Sequence, residues 1–271
     1  MSTSYLRRPE GRIAYEVHGS DGPLIICVHG MGDLSSSFRF TVPALLAAGY
    51  RVATLDLRGH GDSDDGFSAY DDEALSSDIL ALIDHLGGER ALVIGSSMGA
   101  ASGVLAAAEQ PAKIAGLALV GPFVRNPQTS PVMALVQRLL LVKPWGPSVW
   151  TAYYRNFYPG RKPADLSEHQ QRIRESLSRG SHWRSFVRTT RTDHTPAEKR
   201  LGDVRAPALV VMGERDPDFP DTTAEARFAA DRLGGEAEVL MVPESGHYPM
   251  TDSPDLVNKA LVSFADKAFR A

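Results

Sequence analysis

Residues 91–99 read ALVIGSSMG, and they have the pattern of a strand, a tight turn and the start of a helix. Its first four residues form a short apolar run typical of a buried strand, while Met98–Glu109 has the composition of a helix. Between them, Gly95–Gly99 fits the pattern G-x-S-x-G with Ser97 at its centre. A strand-to-helix turn of this kind raises the serine hydroxyl above the sheet, and the helix N-terminus favours negative charge nearby. The five-residue pattern alone is weak evidence for a catalytic turn, but its position between a strand and a helix strengthens that interpretation.

The same alternation of apolar runs and helical stretches extends along most of the chain. Further runs of strand length lie at Ile13–Val17, Leu24–Val28, Arg51–Leu55, Ala115–Val120, Ala208–Met212 and Ala237–Val242. Helical periodicity is found at Asp72–Leu86 and Ala224–Leu233. Strands that alternate with helices predict an α/β fold with a mostly parallel central sheet of about eight strands, flanked by helices on both faces. The first run is expected in an antiparallel hairpin.

The alternation stops between Pro122 and Ala206, which holds all three tryptophans and no strand-like run. This segment has 12 Arg and 3 Lys against 6 Asp and Glu, in a chain whose net charge is −4. The shift in composition predicts an inserted helical cap, which we call the cap segment (residues 122–206). Residues 1–121 and 207–271 would then form the core. The arginines either bind an acidic group of a substrate or pair with the acidic core, and the second role is the more common one.

The composition excludes several classes of protein. A chain of 271 residues can bury a full hydrophobic core, and a net charge of −4 argues against a nucleic-acid-binding protein. Cys27 is the single cysteine, so an internal disulfide and a CxxC zinc site are excluded. Met1–Arg12 lacks the apolar region of a signal peptide, and no run reaches the roughly 20 apolar residues that a membrane span needs. We therefore expect a cytoplasmic protein that does not bind membranes.

A second motif, HGMG at residues 29–32, directly follows one of the apolar runs. A glycine-rich turn at that place exposes backbone N–H groups, and an oxyanion hole needs two of them. We predict the N–H of Met98 and the N–H of Met31 as the two donors, with Gly32 as the alternative to Met31. His29 is expected to shape the loop rather than to take part in catalysis.

The chain contains three more motifs. DLRGHGDS at residues 56–63 lies between the two motifs above, and GERD at 213–216 and GHYP at 246–249 come after both. Together with the two motifs above, they resemble the α/β-hydrolase superfamily, in the branch that carries a helical cap. The resemblance covers nearly the whole chain and is specific for the fold but not for the substrate. It implies the α/β-hydrolase fold and a catalytic triad in the chain order Ser, Asp, His. The turn at residues 56–63 is expected to be structural.

The resemblance implies Asp216 as the acid of the triad, which orients the histidine and stabilises its charged form. Three other carboxylates lie close to it in the sequence: Glu214, Asp218 and Asp221. His247 follows the last apolar run, and it is the only histidine after Asp216. We therefore predict Ser97, Asp216 and His247 as the catalytic residues, with no metal and no cofactor.

In the predicted reaction, Ser97 attacks a carbonyl carbon while His247 takes its proton, and water then releases the acyl group. The leading hypothesis is hydrolysis of a small to medium carboxylic ester or lactone by a monomer or homodimer. Three alternatives stay open: C–C bond hydrolysis of a vinylogous diketone, a cofactor-free perhydrolase or haloperoxidase reaction, and a non-catalytic ligand receptor. Epoxide hydrolases and haloalkane dehalogenases of this fold attack with a carboxylate, so a serine at this position disfavours both.

Aromatic side chains near the catalytic turns and in the cap segment are predicted to line the substrate pocket. Packing between cap helices is the competing explanation for most of those in the cap. The predicted pocket residues are Phe123, Trp145, Trp150, Tyr153, Trp183 and Tyr248.

Overall fold

The structure is a computed structural model that describes residues 3–127, 136 and 139–270. An eight-stranded sheet lies at its centre. The strands are β1 (Ser4–Arg8), β2 (Gly11–His18), β3 (Leu24–Val28), β4 (Arg51–Leu55), β5 (Ala91–Ser96), β6 (Ile114–Val120), β7 (Ala208–Gly213) and β8 (Ala237–Val242). Each predicted apolar run coincides with a strand to within two residues at either end. The strand β1 was not predicted separately.

The strands follow the order β1-β2-β4-β3-β5-β6-β7-β8 across the sheet. The pairs β1–β2 and β2–β4 are antiparallel, and all other neighbours are parallel. The predicted hairpin and the mostly parallel sheet of about eight strands are therefore confirmed. Because β3 lies between β4 and β5, Val28 pairs with both Leu55 and Gly95. The turns that follow these three strands consequently meet at one edge of the sheet.

Helices cover both faces of the sheet. Those whose bounds lie in the described part of the chain are α1 (Thr41–Ala47), α2 (Asp72–His85), α3 (Met98–Glu109), α4 (Gly146–Tyr154), α5 (Leu166–Ser178), α6 (His182–Thr189), α7 (Thr195–Arg200), α8 (Thr222–Arg232), α9 (Pro249–Asp252) and α10 (Pro254–Arg270). Short 3-10 turns lie at Ser35–Phe38, Pro111–Lys113, Arg155–Phe157 and Leu201–Asp203. The carboxylate of Asp71 accepts a hydrogen bond from the N–H of Ala74 and so caps the start of α2.

The core divides into two layers, one on each face of the sheet. Along β3, Ile26 and Val28 pack in the layer that contains α2 and α3, whereas Ile25 and Cys27 pack in the layer that contains α1 and α10. Burial on both faces explains why the central strands read as unbroken apolar runs. Cys27 is fully buried, and its burial raises the pKa of the thiol, as expected for an unreactive core cysteine.

Helices α4 to α7 lie between β6 and β7, and the described residues of the cap segment include no strand. Helices without strands among the described residues between β6 and β7 agree with the predicted helical insertion. The limits of that insertion at residues 122 and 206 stay a prediction. Within the described part of the chain, no helix is both long and apolar enough to cross a membrane.

Candidate active site

Ser97 occupies the sharp turn between β5 and α3. Its backbone has φ 55° and ψ −121°, a conformation that a non-glycine residue adopts only at a cost of about 1–3 kcal/mol. A Cβ on Gly95 would lie 2.3 Å from the carbonyl oxygen of Gly99, and a Cβ on Gly99 would lie 2.4 Å from that of Val28. The glycines of the motif are therefore required by close backbone packing. The turn presents Ser97 at the carboxyl end of a central strand.

Asp216 and His247 are hydrogen-bonded to each other at the ends of neighbouring strands. Nδ1 of His247 lies 2.7 Å from Oδ2 of Asp216, and both side chains are buried. Of the three other carboxylates, Asp218 is 3.6 Å from the same nitrogen and Asp221 caps α8. Glu214 is exposed. The geometry thus favours Asp216 as the partner of His247, and Asp218 is a second carboxylate beside it.

The charges around His247 shift its pKa. Burial lowers the pKa of the imidazole. The charge of Asp216 and its hydrogen bond raise the pKa by more than burial lowers it, and the net pKa is about 9. Burial also raises the pKa of the Asp218 carboxyl to about 6, against the opposing effect of His247. The site therefore combines a strongly basic imidazole with a carboxyl group that titrates near neutrality.

Phe123 links Ser97 to His247. Its N–H lies 3.4 Å from the carbonyl oxygen of Ser97, and its ring centroid lies 5.7 Å from that of His247 in an edge-on arrangement. Both catalytic candidates are almost fully buried, at 4% and 1% exposure. Ser97 and His247 thus follow the carboxyl ends of β5 and β8, at one edge of the sheet, and both contact Phe123.

The loop at residues 29–32 distinguishes the two candidate oxyanion donors. The N–H of Gly32 donates to Nε2 of His60 at 3.0 Å, so it is already engaged. The N–H of Met31 is therefore the better candidate. Met98 is the first residue of α3, where a helix leaves its N–H groups without a partner inside the helix.

A model of the alpha/beta hydrolase family matches residues 25–260. This chain belongs to that family. Its sequence is 30% identical over 265 residues to the dihydrolipoyllysine-residue acetyltransferase component of the acetoin cleaving system from Pseudomonas putida. The match covers 93% of this chain but only 66% of that protein.

Two further proteins are similar over nearly their whole length. The 2-hydroxy-6-oxononadienedioate/2-hydroxy-6-oxononatrienedioate hydrolase 1 of Dechloromonas aromatica (strain RCB) is 29% identical over 280 residues, covering 97% of this chain and 95% of the relative. The enol-lactonase from Burkholderia xenovorans LB400 has the same fold, with a TM-score of 0.79 at 24% identity, covering 97% of this chain and 100% of that one. Membership of the family supports the prediction that this α/β-hydrolase chain is an enzyme that catalyses hydrolysis.

Two buried histidines hold the loops of this α/β hydrolase together. Nε2 of His29 accepts from the N–H of Leu57 at 3.0 Å, and its Nδ1 lies 2.7 Å from the carbonyl oxygen of Gly30. Burial lowers the pKa of His29 to about 4 and that of His60 to about 3. Both are therefore neutral near pH 7, and both connect the turn at residues 29–32 to the turn at 56–63. These contacts support the structural roles expected for the two motifs.

Three of the six predicted pocket residues contact the site. Phe123 and Tyr248 pack against His247, with ring centroids 5.7 and 4.9 Å away. The indole N–H of Trp150 donates to the carbonyl oxygen of Gly32 at 3.0 Å. Trp150 is thus bonded to the turn at residues 29–32, which holds the predicted oxyanion donor.

The other three predicted pocket residues differ in how close they lie to the site. Burial raises the pKa of Tyr153, and the charges of Asp218 and Asp216 are near enough to raise this pKa further. Trp145 is 51% exposed, and its indole N–H donates to the carbonyl oxygen of Leu139. Tyr153 is 42% exposed and packs on Trp150. Trp183 is buried, and it donates to the carbonyl oxygen of Leu141. For Trp145 and Trp183 the contacts fit packing between cap helices better than a pocket.

Some neighbours of the site carried little sequence signal. The ring centroid of Phe157 lies 5.1 Å from that of His247 in a tilted arrangement, and its carbonyl oxygen accepts from the N–H of His247 at 3.0 Å. Phe219 packs on Phe123 at 4.9 Å. Neither residue belongs to a recognisable motif, and Phe219 was not predicted from the sequence.

Arginines of the cap segment bond to the core of the protein. Arg179 donates to the carboxylate of Asp62 at 2.9 Å, and Arg188 donates to the carbonyl oxygen of Phe67 at 3.2 Å. Arg125 forms an ion pair with Glu225. These three arginines thus bond to acids and carbonyl groups of the core, which is the more common of the two expected roles.

Asp216, Asp218 and His247 also form a group that could hold a metal ion, since their ligand atoms lie within 4.8 Å of one another. A metal bound there would compete with Asp216 for Nδ1 of His247. The prediction of a metal-free reaction is thus still to be tested.

Proposed function

We propose that this chain is a serine hydrolase that cleaves a carboxylic ester or lactone through an acyl-enzyme. The observation that carries the proposal is the 2.7 Å hydrogen bond between His247 and Asp216, beside Ser97 in its strained turn. A nucleophile, a base and an acid that orients the base are the three parts that this chemistry needs.

The base follows from the hydrogen bond. When Nδ1 of His247 donates to Asp216, Nε2 carries the lone pair that accepts the proton of Ser97. Oγ of Ser97 then bonds to the carbonyl carbon. His247 gives the proton to the leaving alcohol as the bond between the carbonyl carbon and the alcohol oxygen breaks. It next takes a proton from the attacking water and returns it to Oγ of Ser97 as the acid is released.

The oxyanion formed in each step needs two N–H donors. We assign the N–H groups of Met31 and Met98, because Gly32 is engaged with His60 and Met98 begins a helix. The positive end of the α3 dipole adds to this stabilisation.

A second candidate is hydrolysis of a C–C bond next to a ketone. It is favoured by the 29% identity to the 2-hydroxy-6-oxononadienedioate/2-hydroxy-6-oxononatrienedioate hydrolase 1 of Dechloromonas aromatica, which covers 97% of this chain. The two candidates differ in the group that leaves, an alkoxide or a stabilised carbanion. An assay with a vinylogous diketone beside an ester of the same size separates them.

The direct test is hydrolysis of p-nitrophenyl esters from acetate to laurate by wild type and Ser97→Ala. Ser97→Ala is expected to lower kcat by several orders of magnitude, on the order of 10⁶ where a serine acts as the nucleophile. Ser96→Ala is the matched control, because it removes a buried hydroxyl one residue away that has no hydrogen-bond partner among the described residues. Full activity in Ser97→Ala would contradict the proposal. The cytoplasmic location of the protein and its assembly as a monomer or homodimer stay predictions.

A further inference from the structure

The loop that follows β3 is held from two sides. We call residues 29–34 the oxyanion loop. On the core side, the N–H of Gly32 donates to His60, and on the other side its carbonyl oxygen accepts from the indole N–H of Trp150, both at 3.0 Å. Gly32 has φ 68°, and a Cβ added there would lie 2.5 Å from the Trp150 ring. Both polar groups of Gly32 are thus used, and α4 packs directly on its backbone.

Asp33 extends the same connection to a second cap helix. Its carboxylate accepts from the Tyr154 hydroxyl at 2.9 Å and lies 2.7 Å from Nε2 of His169. Asp33 is only 1% exposed. A buried carboxylate is stable only when it is paired and hydrogen-bonded, so the helices α4 and α5 supply what keeps Asp33 in place.

The protonation states suit these bonds. Burial raises the pKa of Asp33, but the charge and hydrogen bond of His169 lower it more, so the carboxyl is ionised near pH 7. Burial has the largest effect on the pKa of Tyr154, and the charge of Asp33 adds to it. Together they raise this pKa well above 10, so the hydroxyl keeps its proton and donates to Asp33. Near pH 7 the Asp33 carboxylate is therefore an acceptor and the Tyr154 hydroxyl is a donor, as their hydrogen bond requires.

We propose that Trp150, Tyr154 and His169 are positioning residues that hold the oxyanion loop, and with it the N–H of Met31, in the geometry that stabilises the oxyanion. The proposal rests on the serine hydrolase mechanism above. A donor is effective only within about 2.7–3.1 Å of the oxyanion, so a small shift of the loop slows the chemical step. The cap segment would then contribute to the chemistry as well as cover the substrate.

The experiment compares Tyr154→Phe, Trp150→Phe and His169→Gln with wild type. Each variant removes or alters one hydrogen bond to the loop. We expect kcat/KM for p-nitrophenyl acetate to fall about tenfold. Affinity for a trifluoromethyl ketone, whose adduct with Ser97 carries an oxyanion, should fall by the same factor. Affinity for the matching methyl ketone, which binds without forming that adduct, should stay within about twofold.

Tyr50→Phe is the matched control, since it also removes a tyrosine–aspartate hydrogen bond, from Tyr50 to Asp266 at 2.5 Å, but away from the site. It should leave all three measurements unchanged. The inference is overturned if Tyr154→Phe and Trp150→Phe behave like this control, or if both ketones lose affinity in parallel. Ser97→Ala tells the two possible failures apart. If Ser97→Ala stays active, the serine hydrolase mechanism is refuted; if it is inactive while the cap variants behave like the control, only the positioning role is refuted.

Discussion

The carboxylate of Asp218 lies 3.6 Å from Nδ1 of His247, the same nitrogen that is 2.7 Å from Asp216. Two carboxylates therefore face one buried imidazole. Although burial lowers the pKa of His247, the two negative charges raise it, and the net value is about 9. In the proposed mechanism His247 must be neutral to accept a proton, so we expect these charges to set the pH at which activity appears.

Asp218→Asn is expected to lower the pH at which kcat/KM reaches half its maximum. The wild-type enzyme should gain activity as pH rises, with a midpoint near pH 9, because His247 loses its proton there. Removing the charge of Asp218 lowers the pKa of His247, and the midpoint falls with it. Rates on a p-nitrophenyl ester from pH 6 to 10 measure the shift. Glu214→Gln removes an exposed charge from the same loop and should leave the midpoint unchanged, and a rise in Asp218→Asn would contradict the prediction.

Asp216→Asn is expected to lower kcat by about 10⁴, because asparagine does not hold the imidazole in the required tautomer. Asp218→Asn should retain most of its activity at its own optimum, since its carboxylate is farther from Nδ1. Steady-state rates of the two variants side by side decide which acid belongs to the triad. If Asp218→Asn loses more activity than Asp216→Asn, the assignment is reversed.

Gly30→Ala tests how closely the oxyanion loop packs on the nucleophile. A Cβ on Gly30 would lie 2.6 Å from Cβ of Ser97 and 3.2 Å from its Oγ. The serine must shift to make room, and a misplacement of about 1 Å costs roughly 10² in rate. Gly66→Ala is the control, because the nearest atom to its added Cβ is 3.8 Å away. Equal kcat/KM values in the two variants would show that Ser97 tolerates the contact.

Phe123→Ala is expected to change the preference for acyl chain length. The ring lies 5.7 Å from that of His247 and 4.9 Å from that of Phe219, so its removal opens space next to the base. The ratio of kcat/KM for p-nitrophenyl hexanoate to that for acetate should rise by about tenfold, the effect of one or two methylenes in an apolar pocket. An unchanged ratio would place the acyl group elsewhere.

The strands of the core were predictable for a physical reason. Strands β3, β5 and β6 are buried on both faces, so almost every residue must be apolar and the run is unbroken. The first strand, Ser4–Arg8, lies at the edge of the sheet, where alternate side chains face solvent and the sequence reads as polar. It therefore gave no run that could be recognised.

The catalytic candidates follow strand ends in fixed motifs, so they too could be predicted from the sequence. The contacts of the cap could not. Trp150 bonds to Gly32 and Tyr154 bonds to Asp33, and each pair is separated by more than 100 residues. No spacing in the sequence connects them, because they meet only when the cap helices pack on the core.

The buried pair Asp72–His194 gives a last prediction, on stability. Oδ2 of Asp72 lies 2.7 Å from Nδ1 of His194, while Oδ1 has no hydrogen-bond partner among the described residues. His194→Ala leaves this buried carboxylate unpaired, and we expect it to lower the free energy of unfolding by about 3 kcal/mol. In Asp72→Ala/His194→Ala the charge is gone as well, so the double variant should be less unstable than the sum of the two single variants. Urea unfolding of all four proteins measures the coupling, and additive losses would mean that the pair does not stabilise the junction between α2 and the cap segment.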